Sequence, residues 1–488
     1  MNRYEKHRPI VTGIFFPAIL VAGICLGLFQ GELAAQVYVK KPIIEKKSKG
    51  RKYGVPVATT APGGPTAPGE ETAPVLTVDQ IVQIALQRNP ALTISERSVD
   101  AADSRAKQVR SHYFPHLDTK VGFYRFWMDL VSWADQFQQA FPANENFPQA
   151  TIILSQYIYD FGKTDGRYVR NVHLRKASQK SYRQTLEDVI QVAKIAFYNV
   201  LRSHQYVVVQ QQSVGIYAKH LTQARDFLSA GMRPEIDVTK AEVAFSKSKR
   251  SLMKSQYAAQ LSKVLLENVL AGPPVPGPYQ LGRPADLNPE KEQMDGLVEE
   301  ALKQRPKIAV LQERIIAARA QVRAVWGDYL PSVTAQAAFD WQDAQIAFYN
   351  HAYILGVGMK WNLFAGLRTY EEVREAKAVK DRLAAQLQKE ELQVKREVNE
   401  AVIHINENVD DVLTSEVIVK EARQSRELAE GRYENGLGDY LEFQDAVLTW
   451  RQAENDLIQA QFSYLQSRAD LDHALGRTEA YAPMTKKE

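Results

Sequence analysis

Two hydrophobic patterns divide this chain. Beyond Pro331 apolar and polar side chains alternate with period two: Val333, Ala335, Ala337, Phe339 and Trp341 fall on one side, Thr334, Gln336, Asp340 and Gln342 on the other. "YILGVGMKWNLF" repeats this, with Tyr353, Leu355, Val357, Met359, Trp361 and Leu363 set against Gly356, Gly358, Lys360 and Asn362. Alternation over about ten residues is what a tilted membrane-spanning strand requires; a soluble antiparallel sheet alternates as well. The pattern is blurrier over Leu117–Trp127 and Thr151–Phe161. Strands are therefore predicted over 117–127, 151–161, 332–342 and 353–364.

The second pattern is helical. Leu367 to Glu430 runs 64 residues with neither Gly nor Pro, which at the α-helical rise is about 96 Å. No compact core needs such a helix, so a coiled coil or a tube wall is predicted. Arg167 to Val214 is its shorter counterpart. Glycine-marked interruptions follow, at Gly231 and at Gly436 with Gly438, then returning helices over 235–271 and 439–475. Gly231 and Gly436 can take the positive φ of a helix-to-helix turn. Pro115 and Pro331 stop the helices that precede the first strand of each pair.

The order of elements occurs twice. Residues 81–123 align without a gap to 297–339, matching Ala85-Leu86 with Ala301-Leu302, Pro90 with Pro306, Tyr113 with Tyr329 and Pro115 with Pro331. Phe161 and Phe364 come next in register, then Gly231 and Gly436. The period is too long for a solenoid and indicates an internal duplication. The predicted organisation is a first repeat over 76–280, a second over 281–476 and a C-terminal tail over 477–488.

Four spanning strands cannot stand alone in lipid, where every backbone N–H and C=O must be paired. The chain must then share a barrel with its copies, eight strands from a dimer or twelve from a trimer. Aromatics support a membrane boundary: 21 of the 46 Phe, Tyr and Trp fall within 113–161 and 329–364, as interfacial girdles would. The loops over 128–150 and 342–352 contain acids and no Lys or Arg.

The N-terminus has a basic n-region (Arg3, Lys6, Arg8), an apolar Ile10–Phe29 and the small pair Ala34-Ala35. It reads as a secretory signal peptide over 1–35, with an uncleaved membrane helix as the alternative. Cys25, the only cysteine, lies inside it. Residues 36–75, basic and then rich in Pro, Gly, Thr and Ala, read as a flexible linker. Ten Lys/Arg against three acids in Met1–Lys52 account for more than the whole net charge of +4. The remainder is slightly acidic, which argues against a nucleic-acid partner. The sequence contains no P-loop, nucleophile elbow or dinucleotide fingerprint, so no cofactor and no enzymatic activity is predicted.

Taken together, "YFP" and "YLP" at the helix-to-strand junctions, "YDFGK" and "NLFAGLR" at the return and "RYENGLGDYLEFQDA" at the far turn resemble the TolC-type outer-membrane efflux family (outer-membrane factors). The resemblance covers 76–476. It implies an α+β membrane protein in which three chains form a twelve-stranded outer-membrane barrel above an α-helical periplasmic tunnel. A homotrimer fed by a periplasmic adaptor protein and an inner-membrane pump, bedded in outer-membrane lipid, would be a passive duct for efflux or type I secretion. The rival reading is a soluble periplasmic coiled-coil adaptor.

The same resemblance implies a gate at the periplasmic tip. Its constricting carboxylates fall on Glu442 and Asp445, a first-repeat partner on Asp237 and its latch tyrosine on Tyr433. The latch arginine would fall on Gly438, which cannot make that contact. Arg233, at the equivalent first-repeat position, is the expected replacement, reaching Glu442 or Tyr433 of a neighbouring chain.

Overall fold

The computed structural model describes residues 74–125, 146–284, 288–342 and 351–477. The predicted signal peptide, almost all of the linker, most of both loops and nearly all of the C-terminal tail lie outside them. Each repeat opens with two short helices. In the first, α1 (Val78–Arg88) is capped by Thr77 and Gln80, which bond each other's backbone N–H. Asn89 then caps α2 (Pro90–Arg110), with Pro90 in the first turn where no N–H is needed. The second repeat builds α5 (Leu297–Gln304) and α6 (Pro306–Trp326) with Pro306 again in the first turn, but with Gly296 and Arg305 at the N-caps and no side-chain cap. Both pairs end in a 3₁₀ turn, Ser111–Tyr113 or Gly327–Tyr329, and pass through Pro115 or Pro331 into a strand.

The strands are β2 (His116–Arg125), β3 (Asn146–Tyr159), β5 (Ser332–Gln342) and β6 (His351–Lys360). They form one antiparallel sheet in the order β2-β3-β5-β6, so β2 and β6 are its edges. A two-residue pair, β1 (Val75–Leu76) with β4 (Gln280–Leu281), lies apart and starts the described chain. Cross-strand register assigns the faces. One carries the rows Thr119–Ile152–Phe339–Tyr353 and Leu117–Leu154–Ala337–Leu355. The other carries Lys120–Thr151–Asp340 and His116–Ser155–Gln336, interrupted by Ile153, Ala338 and Ile354. Asp340 accepts hydrogen bonds from Gln149 and Thr151 there. Among the described residues nothing covers the apolar face: Leu355 is 84% and Val121 78% exposed.

From the sheet run α3 (Lys163–Ser229) and α7 (Arg368–Glu434), each of 67 residues and each about 100 Å long. They turn back as α4 (Glu235–Val269) and α8 (Tyr440–Leu475), which stop roughly halfway. Here the main core forms, with Ile81, Phe197, Leu266, Val398, Ile405 and Leu475 buried together. Toward the sheet, α2 and α6 take over the packing on α3. Toward the far end the helices pack in the row α4–α3–α8–α7. None of the described helices is long and apolar enough to cross a membrane.

Several boundaries differ from expectation. The first long helix continues through Gly215 to Ser229 and begins at Lys163, so it equals its partner in length. A helical glycine costs about 1 kcal/mol, which burial of Val209 and Tyr217 on either side offsets. Gly166 is required: a Cβ there would sit 2.9 Å from the Ala320 carbonyl. Phe161 is structurally equivalent to Gly366 and not to Phe364, because each return uses two consecutive left-handed residues, Phe161-Gly162 and Gly366-Leu367. β6 ends at Lys360, four residues early, and the Trp361 indole N–H instead donates to the Tyr329 carbonyl (2.9 Å).

Candidate functional site at the helical tip

The far ends of the two long helices close in the same way. After α3, Met232 N–H bonds Phe227 O (2.8 Å) and Gly231 N–H bonds Leu228 O (2.9 Å). After α7, Leu437 N–H bonds Arg432 O (2.9 Å) and Gly436 N–H bonds Tyr433 O (3.1 Å). Both are Schellman closures needing a left-handed residue, and Gly231 (φ 71°) and Gly436 (φ 72°) supply it. Gly438 is glycine for a different reason. A Cβ there would approach Tyr433 N to 3.1 Å and the Arg432 carbonyl carbon to 3.2 Å.

Arg233 joins the two turns. Its Nη2 donates to the Gly438 carbonyl (3.0 Å), and its guanidinium carbon lies 5.5 Å from the centre of the Tyr433 ring. Both contacts are within one chain. Tyr433 is 1% exposed and packs with Tyr217, Tyr440, Phe443 and Val447. Burial pushes its phenol up, against the opposing effect of Arg233. Glu442 is exposed and pairs with Arg432 (3.2 Å). Asp445 is exposed one turn further on α8 and forms no ion pair in the described chain. Asp237 lies buried in the first turn of α4, where the helix N-terminus favours a carboxylate.

Other groups at the tip escaped the sequence reading. Lys219 on α3 bridges to Glu430 (2.9 Å) and Glu434 (2.7 Å) of α7, tying the two repeats together. Hydrogen bonds to Glu434 and Glu430 push its ammonium up to about 12. His220 on α3, 2% exposed, sits among the rings of Tyr433, Tyr440 and Phe443. Its partners come from more than 200 residues away, and no local spacing announces them.

The tip therefore offers exposed carboxylates beside two hairpins joined by the Arg233–Gly438 contact, by the Tyr440 hydroxyl donating to the Lys240 carbonyl (3.2 Å), by the aromatic cluster and by the two Lys219 bridges. It holds charge and geometry suited to ions, not a nucleophile paired with a base. The sequence model of the Outer membrane efflux protein family matches residues 81–272 and 297–477, one block per repeat. The chain is 23% identical to "Outer membrane protein TolC" of Escherichia coli over 432 residues, 81% of each chain. It is 22% identical to "Probable efflux pump outer membrane protein TtgC" of Pseudomonas putida over 407 residues, 82% of each. Among solved structures, the outer-membrane channel OprN superposes with a TM-score of 0.72 at 18% identity, covering 85% of this chain and 98% of that one. The outer membrane protein VceC of Vibrio cholerae superposes at 0.70 with 19% identity, covering 82% and 96%.

Proposed function

The chain belongs to the outer membrane efflux protein family and is an outer-membrane channel extending into the periplasm, and from that premise we propose how it assembles and closes. Channels of this family are not enzymes, and the adaptor reading finds no support among these relatives. In our reading three copies share a twelve-stranded barrel, β2 of one pairing with β6 of the next. The carrying observation is the sheet itself: an uncovered apolar face for lipid, a polar face for the lumen and two unpaired edges. An open edge does not persist in hydrocarbon.

The helices supply a matching joint. In the row α4–α3–α8–α7 the outer helices carry exposed apolar residues, Met253, Tyr257 and Leu261 on α4 and Leu413, Val417 and Leu428 on α7. Packing α4 of one copy on α7 of the next closes a tunnel of twelve helices. Residues 1–35 direct export, and a periplasmic adaptor and an inner-membrane pump deliver cargo to the tip.

The gate is the α7–α8 hairpin. Tyr433 and Arg233 hold it against the first-repeat turn, and Glu442 and Asp445, with Asp237 behind them, line the constriction in three copies. A carboxylate ring of this kind favours cations and holds back anions. Single-channel conductance of the purified protein in planar bilayers tests both parts. We expect a small cation-selective conductance that grows, or loses selectivity, in Glu442→Ala/Asp445→Ala. An unchanged conductance refutes the gate residues, and protein that stays soluble without detergent and forms no channel refutes the barrel.

A further inference from the structure

His220 has a setting that the channel reading leaves unused. It projects from α3 of the first repeat into the second-repeat hairpin. The Tyr440 ring stacks on it (4.9 Å between centres, 14° between planes), while Tyr433 and Phe443 each approach to 4.7 Å. Neither ring nitrogen has a hydrogen-bond partner, and both are buried. An imidazole can accept a proton near neutral pH, yet here the product cation would be buried with no acceptor for either N–H among the described residues.

We propose that His220 is an acid-responsive latch: neutral, it seats the α7–α8 hairpin on α3, and on taking up a proton it releases the hairpin. This rests on the reading of the hairpin as the gate. Charged and titratable groups face it from four elements. On α3 are Tyr217 and the outward-pointing Lys219, bound to Glu430 and Glu434. From α4 comes Asp237, from α7 Glu430 and Tyr433, and from α8 Tyr440, with the uncharged Phe443 ring completing the cage. Burial disfavours the cation, while Asp237 and Glu430 favour it; burial prevails and holds the imidazole down at about 4.

The sign follows from linkage. A group whose pKa is depressed in the closed state and ordinary in the open one binds more protons when open, so acid favours opening. Closure is at full strength above the free value of 6.5 and weakens as pH falls from there toward about 4. At about pH 5.5 the open form gains about tenfold in each chain, and about a thousandfold if three latches release together. The Lys219 ammonium, held up at about 12, keeps its charge over this range, and replacing His220 separates the imidazole from the other groups of the tip.

Two readouts on the full-length protein decide the matter, in the wild type, His220→Phe and His220→Gln, between pH 7.5 and 5. One is bilayer conductance; the other is hydrogen exchange over Tyr440–Val447, corrected for the intrinsic effect of pH. The expected result is acid-loosened exchange and about tenfold or greater opening in the wild type, with both flat in His220→Phe and His220→Gln. Loosened exchange without a conductance change keeps the latch and refutes the hairpin as the gate. Equal loosening in all three proteins, or none in the wild type, overturns the latch.

Discussion

At the tip, the turn glycines Gly231, Gly436 and Gly438 answer to different physics. Gly231 needs a positive φ in open space, so Gly231→Ala meets only backbone strain of about 1–2 kcal/mol. Gly438 has an ordinary φ but no room, and its Cβ would press on the backbone beneath Tyr433. Gly438→Ala must shift the turn that Arg233 grips, at a cost of about 1–3 kcal/mol, and the shift unseats Tyr433. Bilayer recordings should therefore show a larger rise in open probability for Gly438→Ala than for Gly231→Ala; the reverse order would mean that the contact with Arg432 and Tyr433 does not hold the hairpin. Lys219 gives a contrasting expectation. Its raised pKa means its contribution is complete below the free value of 10.5 and is lost only as pH climbs through about 12. As an exposed bridge it is worth at most about 1 kcal/mol and weakens with salt. Lys219→Met should open the channel slightly at low ionic strength, by the same amount at pH 7 and pH 9, and have no effect in molar salt. Tyr433, Gly436 and Gly438 were legible because they sit in one short stretch of sequence, and Gly231 because the first repeat carries the matching interruption. His220 was not, since its cage joins α3 to residues 433–443, and nothing in a linear pattern specifies which face of one coil meets the next.

Among the elements, the strands were legible where one face is uniformly apolar and blurred where it is not. In β5 the alternation is strict and the bounds 332–342 coincide with the strand. In β3 the register shifts between Tyr157 and Tyr159, and the extra residue Ile158 breaks period two. β6 ends early because Trp361 bonds the turn carbonyl of Tyr329 in place of a strand neighbour. The long helix of the first repeat was cut short at Gly215 because a glycine weakens a helix, and only tertiary packing restores it. The sheet faces carry a direct prediction. Leu355 lies mid-strand on the apolar face of β6, and Thr334 lies on the polar face of β5. Leu355→Arg would set a cation in hydrocarbon, costing about 2–4 kcal/mol near the midplane, whereas a lumen-facing arginine escapes that penalty. Refolding into lipid vesicles, followed by resistance to denaturant, should be impaired for Leu355→Arg and near wild type for Thr334→Arg. Equal impairment would mean that the faces are assigned the wrong way round or that the sheet does not meet lipid.

At the scale of the whole molecule, the described long helices of a single chain pack in a row, α4–α3–α8–α7, toward the tip. Its sheet has two free edges, and its helical row exposes Tyr257 and Leu261 on α4 and Val417 on α7. Burying such side chains is worth about 1.5–3 kcal/mol each, so a charge placed on the α4 stripe should undo assembly without unfolding the chain. Leu261→Glu is expected to retain its helical circular dichroism while light scattering reports a loss of trimer. In the proposed gate a trimer would bring one Asp445 from each copy toward a common axis, which no contact inside one chain can reveal. Cys25 is the only cysteine and lies in the predicted signal peptide, so Asp445→Cys would place a lone thiol in each processed chain. Three thiolates converging on an axis bind a soft divalent ion such as Cd²⁺, whereas three thiols on the outer surface of a tunnel stay too far apart to share one. Micromolar Cd²⁺ added to the periplasmic side should block current through Asp445→Cys, leave wild type unaffected and be reversed by a chelator. Current that persists would put Asp445 outside the pore and leave Glu442, salt-bridged to Arg432 at 3.2 Å, as the remaining carboxylate of α8 able to narrow it.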